Sequence, residues 1–463
     1  MTEPKSMTHE LVLGFEGYTY PDLFKPERLA SLAADFEKFF TARAPEAHAK
    51  FDAYRKVKGE GMKPEEVSEA LLAAAPHVSS FVAKLFGVEA ELAKIHAATH
   101  ERKPLWTFKR DFAKKRVLSK EPGKAWAALG KTVEQAQTVS DAAMLASGAS
   151  HGQDDELMIA CAVLAIWEVD DIARKVKKAG GAQWSDDLKA RGEKIAAAVR
   201  ATGVLDDAAF EDVVAKSLDA IEAHLAHRYA TVGDPLRTWA TFHQPHPLDF
   251  EKLVQIRRPD SKVPEMFVGP EHERRERGEV SAFQLTDRRM GARRAEDQID
   301  YCVLCHNRDK DSCSKGLLDA KTKEVKKNPL GIALEGCPLE EKISEMHTVR
   351  GEGDPLGALA IVTVDNPMCP GTGHRICNDC MKACIFQKQD PVNIPQAETG
   401  VLTDVLDMPW GFEVYGLLTR WNPLHPTRQH PRPYTGKNVL VVGLGPAGYT
   451  LAHHLLREGF GVV

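Results

Sequence analysis

Cysteine placement constrains this chain more than any other feature. Eight of its nine cysteines fall between Tyr301 and Glu398: Cys302, Cys305, Cys313, Cys337, Cys369, Cys377, Cys380 and Cys384. Eight is the number of thiolates that hold two four-iron clusters, at four apiece. The ninth, Cys161, lies upstream in the apolar run Met158–Trp167 and reads as a small core residue. The first residues, Met1 to Glu10, are polar and lack the apolar centre of a signal peptide. In such a chain CxxC spacing reads as metal ligation, not as a disulfide framework, and a cytoplasmic location is the matching expectation.

The rest of the sequence bounds the answer loosely. A length of 463 residues allows roughly three domains. The formal net charge of −5 argues against bulk nucleic-acid binding. The run Met158–Trp167 is about half of what a membrane span needs, so none is expected. Residues 1–270 read as helical. Pro26 suits a first helical position and is followed at helical spacing by Leu29, Leu32, Phe36 and Phe39/Phe40. Pro64-Glu65-Glu66 opens a second helix, with Val67, Leu71 and Leu72 on it. Asp154 to Lys178 makes a longer one, and Asp206 and Asp207 are candidate caps for another through Val213, Val214, Leu218, Ile221 and Leu225. No repeat or low-complexity segment is evident. Nothing in this half carries recognisable chemistry, and it reads as a docking or scaffold domain. His243 and His246 sit among Pro245 and Pro247 without a Cys or acidic cluster, so they read as incidental loop residues.

Arg274, Arg275, Arg277, Arg288, Arg289, Arg293 and Arg294 crowd the next stretch. They could face an acidic partner or the 2′-phosphate of NADPH. Interleaved Glu271, Glu273, Glu276 and Asp287 favour a solvated helix. Residues 401–436 read as a connector packed on a neighbour through Trp410, Phe412, Tyr415 and Trp421, and broken by Pro423, Pro426, Pro431 and Pro433. The apolar run Asn438–Val442 then reads as a buried parallel strand. Gly443-Leu444-Gly445-Pro446-Ala447-Gly448 follows as a dinucleotide fingerprint. The helix from Pro446 to Glu458 would aim its N-terminus at phosphates, ahead of a second strand, Phe460 to Val463. The acidic ribose-binding residue falls at or past Val463, so these residues do not separate FAD from NAD(P).

Within the cysteine block, Cys302-Val-Leu-Cys305 can serve one metal centre, with amides of the turn hydrogen-bonding the sulfurs. Cys337-Pro338 ends like a bacterial ferredoxin motif, in which the last cysteine ligates the other cluster. Cys377, Cys380 and Cys384 form a second compact group, with Cys369-Pro370 just upstream. Structural zinc on Cys302/Cys305 and Cys377/Cys380 is the rival reading. It leaves Cys313, Cys337, Cys369 and Cys384 unused, and the interval is far longer than in a zinc ribbon.

From Cys302-Val-Leu-Cys305 the order continues through Gly336-Cys337-Pro338-Leu339, Asn366-Pro367, Gly373-His-Arg-Ile-Cys377, Cys380-x3-Cys384 and Pro391-Val-Asn-Ile394 to the fingerprint. Residues 295–463 in this order resemble the glutamate synthase small-subunit family, whose cluster domain is shared with the N-terminal part of dihydropyrimidine dehydrogenase. The resemblance says nothing about residues 1–270. It implies one 4Fe-4S cluster on Cys302, Cys305, Cys313 and Cys384, and a second on Cys337, Cys377 and Cys380. In some relatives the fourth ligand of the second is a Gln or Glu that falls on Glu398 here. Thiolate suits iron–sulfur iron better, which favours Cys369. Two departures stand out: a longer Cys313–Cys337 interval with Lys321, Lys323, Lys326 and Lys327, and a Cys377–Cys380 spacing one residue tighter. The resemblance also implies FAD at Gly443, Gly445, Pro446, Ala447 and Gly448.

The architecture expected is mainly α. It comprises a helical domain over 1–270, a helical two-cluster ferredoxin-like domain over 271–400, the connector over 401–436, and the truncated start of a Rossmann-type domain over 437–463. Such a chain would be the N-terminal fragment of a longer flavoprotein and inactive alone. The whole would be an NAD(P)H-dependent oxidoreductase passing electrons through FAD and two clusters to an acceptor protein or a second active site. No residue stands out as a catalytic acid, base or nucleophile. The alternative is a non-catalytic assembly module with structural zinc.

Overall fold

A computed structural model of the chain describes residues 11–150, 152–178, 183–251, 262–263, 265, 289–308, 311–373, 376–427 and 430–463. It is mainly helical. It divides into two units. One joins the described residues up to Thr99 with those from Pro245 onward; the other is His100–Gln244, and the boundary falls inside the helix Glu89–Phe108.

Three successive helices of the first unit, Pro26–Arg43, Pro45–Val57 and Pro64–Phe86, open on proline. There the missing N–H costs no intrahelical bond and the fixed φ is already helical. Glu27, Glu46, Glu65 and Glu66 lie in their first turns, where the helix dipole favours anions. The periodicity read from sequence is the buried face: Leu29, Leu32, Phe36 and Phe40 are almost wholly inaccessible. This face packs against residues far away in sequence. The Phe36 and Phe81 rings lie 6.0 and 5.8 Å from the fully buried Trp421 ring. Ala358, Leu359 and Ile361 of Pro355–Asp365, Val401 and Val405 of Ile394–Leu406, and Leu417 and Leu418 of Gly411–Arg420 complete the same core.

The stretch 401–436 therefore holds the end of one helix and the whole of another. Of the four aromatic residues expected to pack, Trp421 is core and Trp410 and Tyr415 pack on that core. Phe412 does not pack as expected; it is 70% exposed.

The second unit packs Val133–Ser147, Asp155–Val176, Asp186–Arg200 and Phe210–Ala230 around Val139, Ile159, Val163, Ile166, Ile195, Val199, Leu218 and Ile221. Thr132, Asp154 and Ser185 cap the first three with side-chain oxygens. The fourth corrects the sequence expectation. It starts at Phe210 after Ala209 with no side-chain cap, and Asp207 binds Lys216 instead.

Strand β1 (Asn438–Val439) pairs in parallel with β2 (Gly461–Val462), Asn438 opposite Gly461. Helix Pro446–Arg457 connects them. The regular ladder is shorter than the apolar run Asn438–Val442 suggests, and the run is not the buried strand expected: Leu440 and Val442 are exposed, while Val441 still donates to the Val463 carbonyl at 2.8 Å. Among the described residues no helix is long and apolar enough to cross a membrane.

Gly192 offers a test of packing in the second unit. A Cβ there would lie 2.7 Å from the Phe210 ring and 2.9 Å from Val169. Gly192→Ala gains about 1 kcal/mol of helix propensity but overpacks a buried site at a cost of roughly 1–3 kcal/mol. We expect a net loss of stability in denaturant melts; a variant more stable than wild type would contradict this packing.

Candidate functional site

The first thiol group is built on a helix end. Ala292–Tyr301 stops at Cys302, whose N–H caps back to Gln298 at 3.1 Å. Leu304 takes a left-handed turn (φ 47°), and its N–H points at the Cys302 Sγ at 3.4 Å. Such amide donors stabilise a thiolate over a thiol. Cys305 follows immediately, and Cys313 lies in the short helix Ser312–Lys315. Cys384 joins from the end of Asp379–Ala383. Cys313 and Cys384 share a small core with Ile343, Val392 and Ile394, against which Cys302, Cys337 and Cys380 pack. Over it Tyr301 stacks on Phe386 at 4.6 Å, held by its hydroxyl bond to the Asp390 carbonyl. Burial, then Asp311, Cys302, Cys384 and Cys305, holds the Cys313 thiol well above its ordinary range. Cys302 is pushed up to about 12, by burial first.

The second group contains Cys337, Cys377 and Cys380. Burial and then Glu341 raise Cys337 to about 11. Cys380 is raised by burial, then by Glu341, Cys337, Glu398 and Cys377. Cys377 is more open and takes the Asp379 N–H at 3.5 Å. Cys369 is buried beside Glu398 and Glu341, so both candidates for the fourth position lie at this group. Glu341 and Glu398 form a buried, hydrogen-bonded carboxyl pair, and Asn366 donates to Glu398 at 3.4 Å. Burial and mutual repulsion hold Glu398 well above the carboxylate range. Glu341 was not singled out from sequence; its place four residues after Cys337 is the only signal that could have found it.

The two groups are stitched together by the Cys337 N–H, which donates to the Cys313 carbonyl at 2.9 Å. The intervening lysine-bearing insert folds back on itself: Leu317 donates to Leu334 at 2.8 Å and Lys326 to Leu317 at 2.9 Å. At its base, a Cβ on Gly336 would lie 2.5 Å from the Gly316 nitrogen. Lys321, Lys323, Lys326 and Lys327 are exposed.

Among the described residues no three His, Cys, Asp or Glu side chains stand close enough to hold one metal ion. The donor set nonetheless fits a thiolate-ligated metal: soft, buried sulfurs, some already facing amide N–H groups. A metal would have to displace their protons and draw them together.

The fingerprint forms the turn its glycines imply. Gly443 has φ 95°. A Cβ at Gly445 would meet nothing within 4 Å, which leaves the side open for a phosphate to approach the backbone. A Cβ at Gly448 would run into the Gly443 carbonyl. Pro446 starts the helix and Ala447 follows in its first turn, where backbone N–H groups lack intrahelical partners. A dinucleotide phosphate fits this cradle.

Other residues named from sequence stand apart from this chemistry. Cys161 is a half-buried member of the second unit's core. Arg274, Arg275, Arg277 and Arg288 lie outside the described residues. Arg289, ahead of the helix Ala292–Tyr301, binds the Thr403 hydroxyl at 2.8 Å, and Arg294 on it faces Asp297 at 4.0 Å; that helix buries Ala295, Glu296, Asp297 and Gln298, so it is not the solvated helix expected from the charge pattern. His246 uses its backbone N–H on Asp390, at 3.0 Å.

The family described as the RP005 N-terminal alpha-helical domain matches residues 13–87. An uncharacterized protein, RP006, of Rickettsia prowazekii (strain Madrid E) is 58% identical over 95 residues, 20% of this chain and 14% of that protein. The glutamate synthase (NADPH) small chain of Mycobacterium tuberculosis is 32% identical over 125 residues, 27% of this chain and 22% of its own length. The uncharacterized protein RP005 of the same Rickettsia is 37% identical over 76 residues, 15% of this chain and 26% of that protein. The chain thus spans 14% to 26% of the lengths of these relatives. No solved structure matches it.

The carboxyl pair has a signature in pH. Glu341 and Glu398 both titrate above the unfolded value in the folded chain. Below that value both states are protonated; as pH rises the unfolded chain releases protons the folded one keeps, so the pair's contribution to stability falls. Glu341→Gln keeps the shape and cannot ionise. In chelator-treated protein we expect it to melt above wild type at pH 7.5, by roughly 2–4 °C for each kcal/mol relieved, with the gap closing towards pH 5. A gap that widens at pH 5 would refute the pairing.

Proposed function

We propose that this chain is the electron-input part of an iron–sulfur flavoprotein oxidoreductase working with NAD(P)H. One observation carries the reading: buried thiols fall into two groups, in the same unit as a glycine turn shaped for a dinucleotide phosphate. The partial relationship to an oxidoreductase subunit, the glutamate synthase (NADPH) small chain, supports it. In this reading residues 271–400 are the metal-binding domain and residues 437–463 begin the nucleotide-binding one. Residues 1–270 serve docking or scaffolding, and an acceptor protein or a second active site receives the electrons.

Cys302, Cys305, Cys313 and Cys384 would hold one 4Fe-4S cluster. Cys337, Cys377, Cys380 and either Cys369 or Glu398 would hold the other. Bound FAD supplies conversion between the two-electron chemistry of NAD(P)H and the one-electron chemistry of the clusters. The chain's own part is to bind, shield and orient. The Leu304 and Asp379 amides stabilise the thiolate forms of Cys302 and Cys377. Ile343, Val392 and Ile394, with the Tyr301–Phe386 stack, keep water from the first group. Gly445 leaves the backbone bare for a pyrophosphate, and the N-terminal amides of Pro446–Arg457 face it.

Metal analysis of anaerobically purified protein tests this reading. About eight irons and eight sulfides per chain, with EPR signals of reduced four-iron clusters after dithionite, are expected. Cys369→Ala and Glu398→Ala then identify the fourth ligand, since only the true one lowers the iron content. Stoichiometric zinc without iron or an EPR signal would sink the proposal and leave an assembly module with structural metal.

A further inference from the structure

One side chain ties the glycine turn to the second thiol group. Tyr449 follows Gly448 in the first turn of Pro446–Arg457. Its N–H bonds the carbonyl of Gly445, the glycine left open for phosphate, at 3.1 Å. Its hydroxyl donates to the carbonyl of Gly371. Gly371 belongs to the turn Cys369–Thr372, and no Cβ fits there without striking the Tyr449 phenol. Beyond it, the Thr372 hydroxyl donates to Asn366 at 2.7 Å, and Asn366 donates to Glu398. Tyr415 braces the same segment by donating to the Pro367 carbonyl at 2.7 Å. Both candidate fourth ligands, Cys369 and Glu398, are therefore within a few bonded steps of the phosphate-facing backbone.

We infer that Tyr449 is a positioning residue that couples a dinucleotide at the Gly443–Gly448 turn to the Cys369–Thr372 segment. The inference rests on the nucleotide-binding reading above. A phosphate on the N-terminal amides holds the first helical turn in one place. Tyr449 is part of that turn, so its hydroxyl holds Gly371, and the Cys369 segment loses freedom with it. Coupling of this kind is reciprocal: whatever orders the Cys369 segment also favours the nucleotide.

Hydrogen exchange of the full-length protein, with FAD as probe, reads this directly. The reporters are the Gly371 and Gly373 amides, which bond Met368 and Cys369 at 2.9 and 3.1 Å. Tyr449→Phe keeps the ring and removes the hydroxyl. Without FAD the variant should exchange at these amides about fivefold faster, the factor one ordinary neutral hydrogen bond contributes. On saturation with FAD, exchange at residues 369–373 should slow in wild type and stay unchanged in the variant, although the variant still quenches flavin fluorescence on binding. Gly371→Ala, which displaces the phenol, should behave as Tyr449→Phe does. Equal slowing in wild type and variant, or none in FAD-bound wild type, overturns the coupling. If wild type binds no FAD, the nucleotide reading fails and the coupling fails with it; faster exchange in FAD-free Tyr449→Phe would still separate that failure from an error about the hydrogen bond.

Discussion

Burying proton-releasing groups close to one another sets the terms for everything between Cys302 and Glu398. Thiols at Cys302, Cys313, Cys369 and Cys380, and carboxyls at Glu341 and Glu398, are removed from water together. Each resists ionisation, first because it is buried, and at the four thiols and Glu398 also because its neighbours are of the same kind. A fold gains nothing from such a collection in itself; apolar residues would pack more cheaply. A positively charged centre would relieve the arrangement, which is the physical ground for proposing a metal there.

The surrounding architecture keeps that collection in register. Helices from the first hundred residues share one core with helices as distant as Gly411–Arg420, through Phe36, Phe81 and Trp421. Ile394–Leu406 belongs to this core through Val401 and Val405 while its first turns carry Glu398 towards Cys369. Packing and chemistry thus sit on successive turns of one helix, so a disturbance in the core reaches the carboxyl pair by rotation of a single element.

Legibility in the sequence followed the range of the interaction. Proline starts, apolar periodicity, the thiol grouping and the glycine turn are local, and the structure forms a helix or a turn at each. Asp206 and Asp207 misled because an acid before an apolar run is a cap only where the chain turns there, and here the turn comes at Ala209. Phe412 misled because an aromatic residue in a helix buries only on the inward face. The partnership of residues 13–88 with 346–424 had no local sign, since an apolar stripe states that it will be covered and not by what. Glu341 was hidden for a related reason: a glutamate in a Leu-Glu-Glu-Lys run looks like surface until the fold closes over it.

The insert between Cys313 and Cys337 ends in a clasp. Gly316 and Gly336 meet back to back, and the Cys337–Cys313 backbone bond locks the strands together where they leave the thiol groups. Whatever lies outside such a clasp is mechanically insulated from what lies inside it. The lysine-bearing tip is thus a natural splice point, where segments could be lengthened, trimmed or exchanged for a fluorescent tag, at a closure cost that grows only with the logarithm of length, while the sulfurs keep their places.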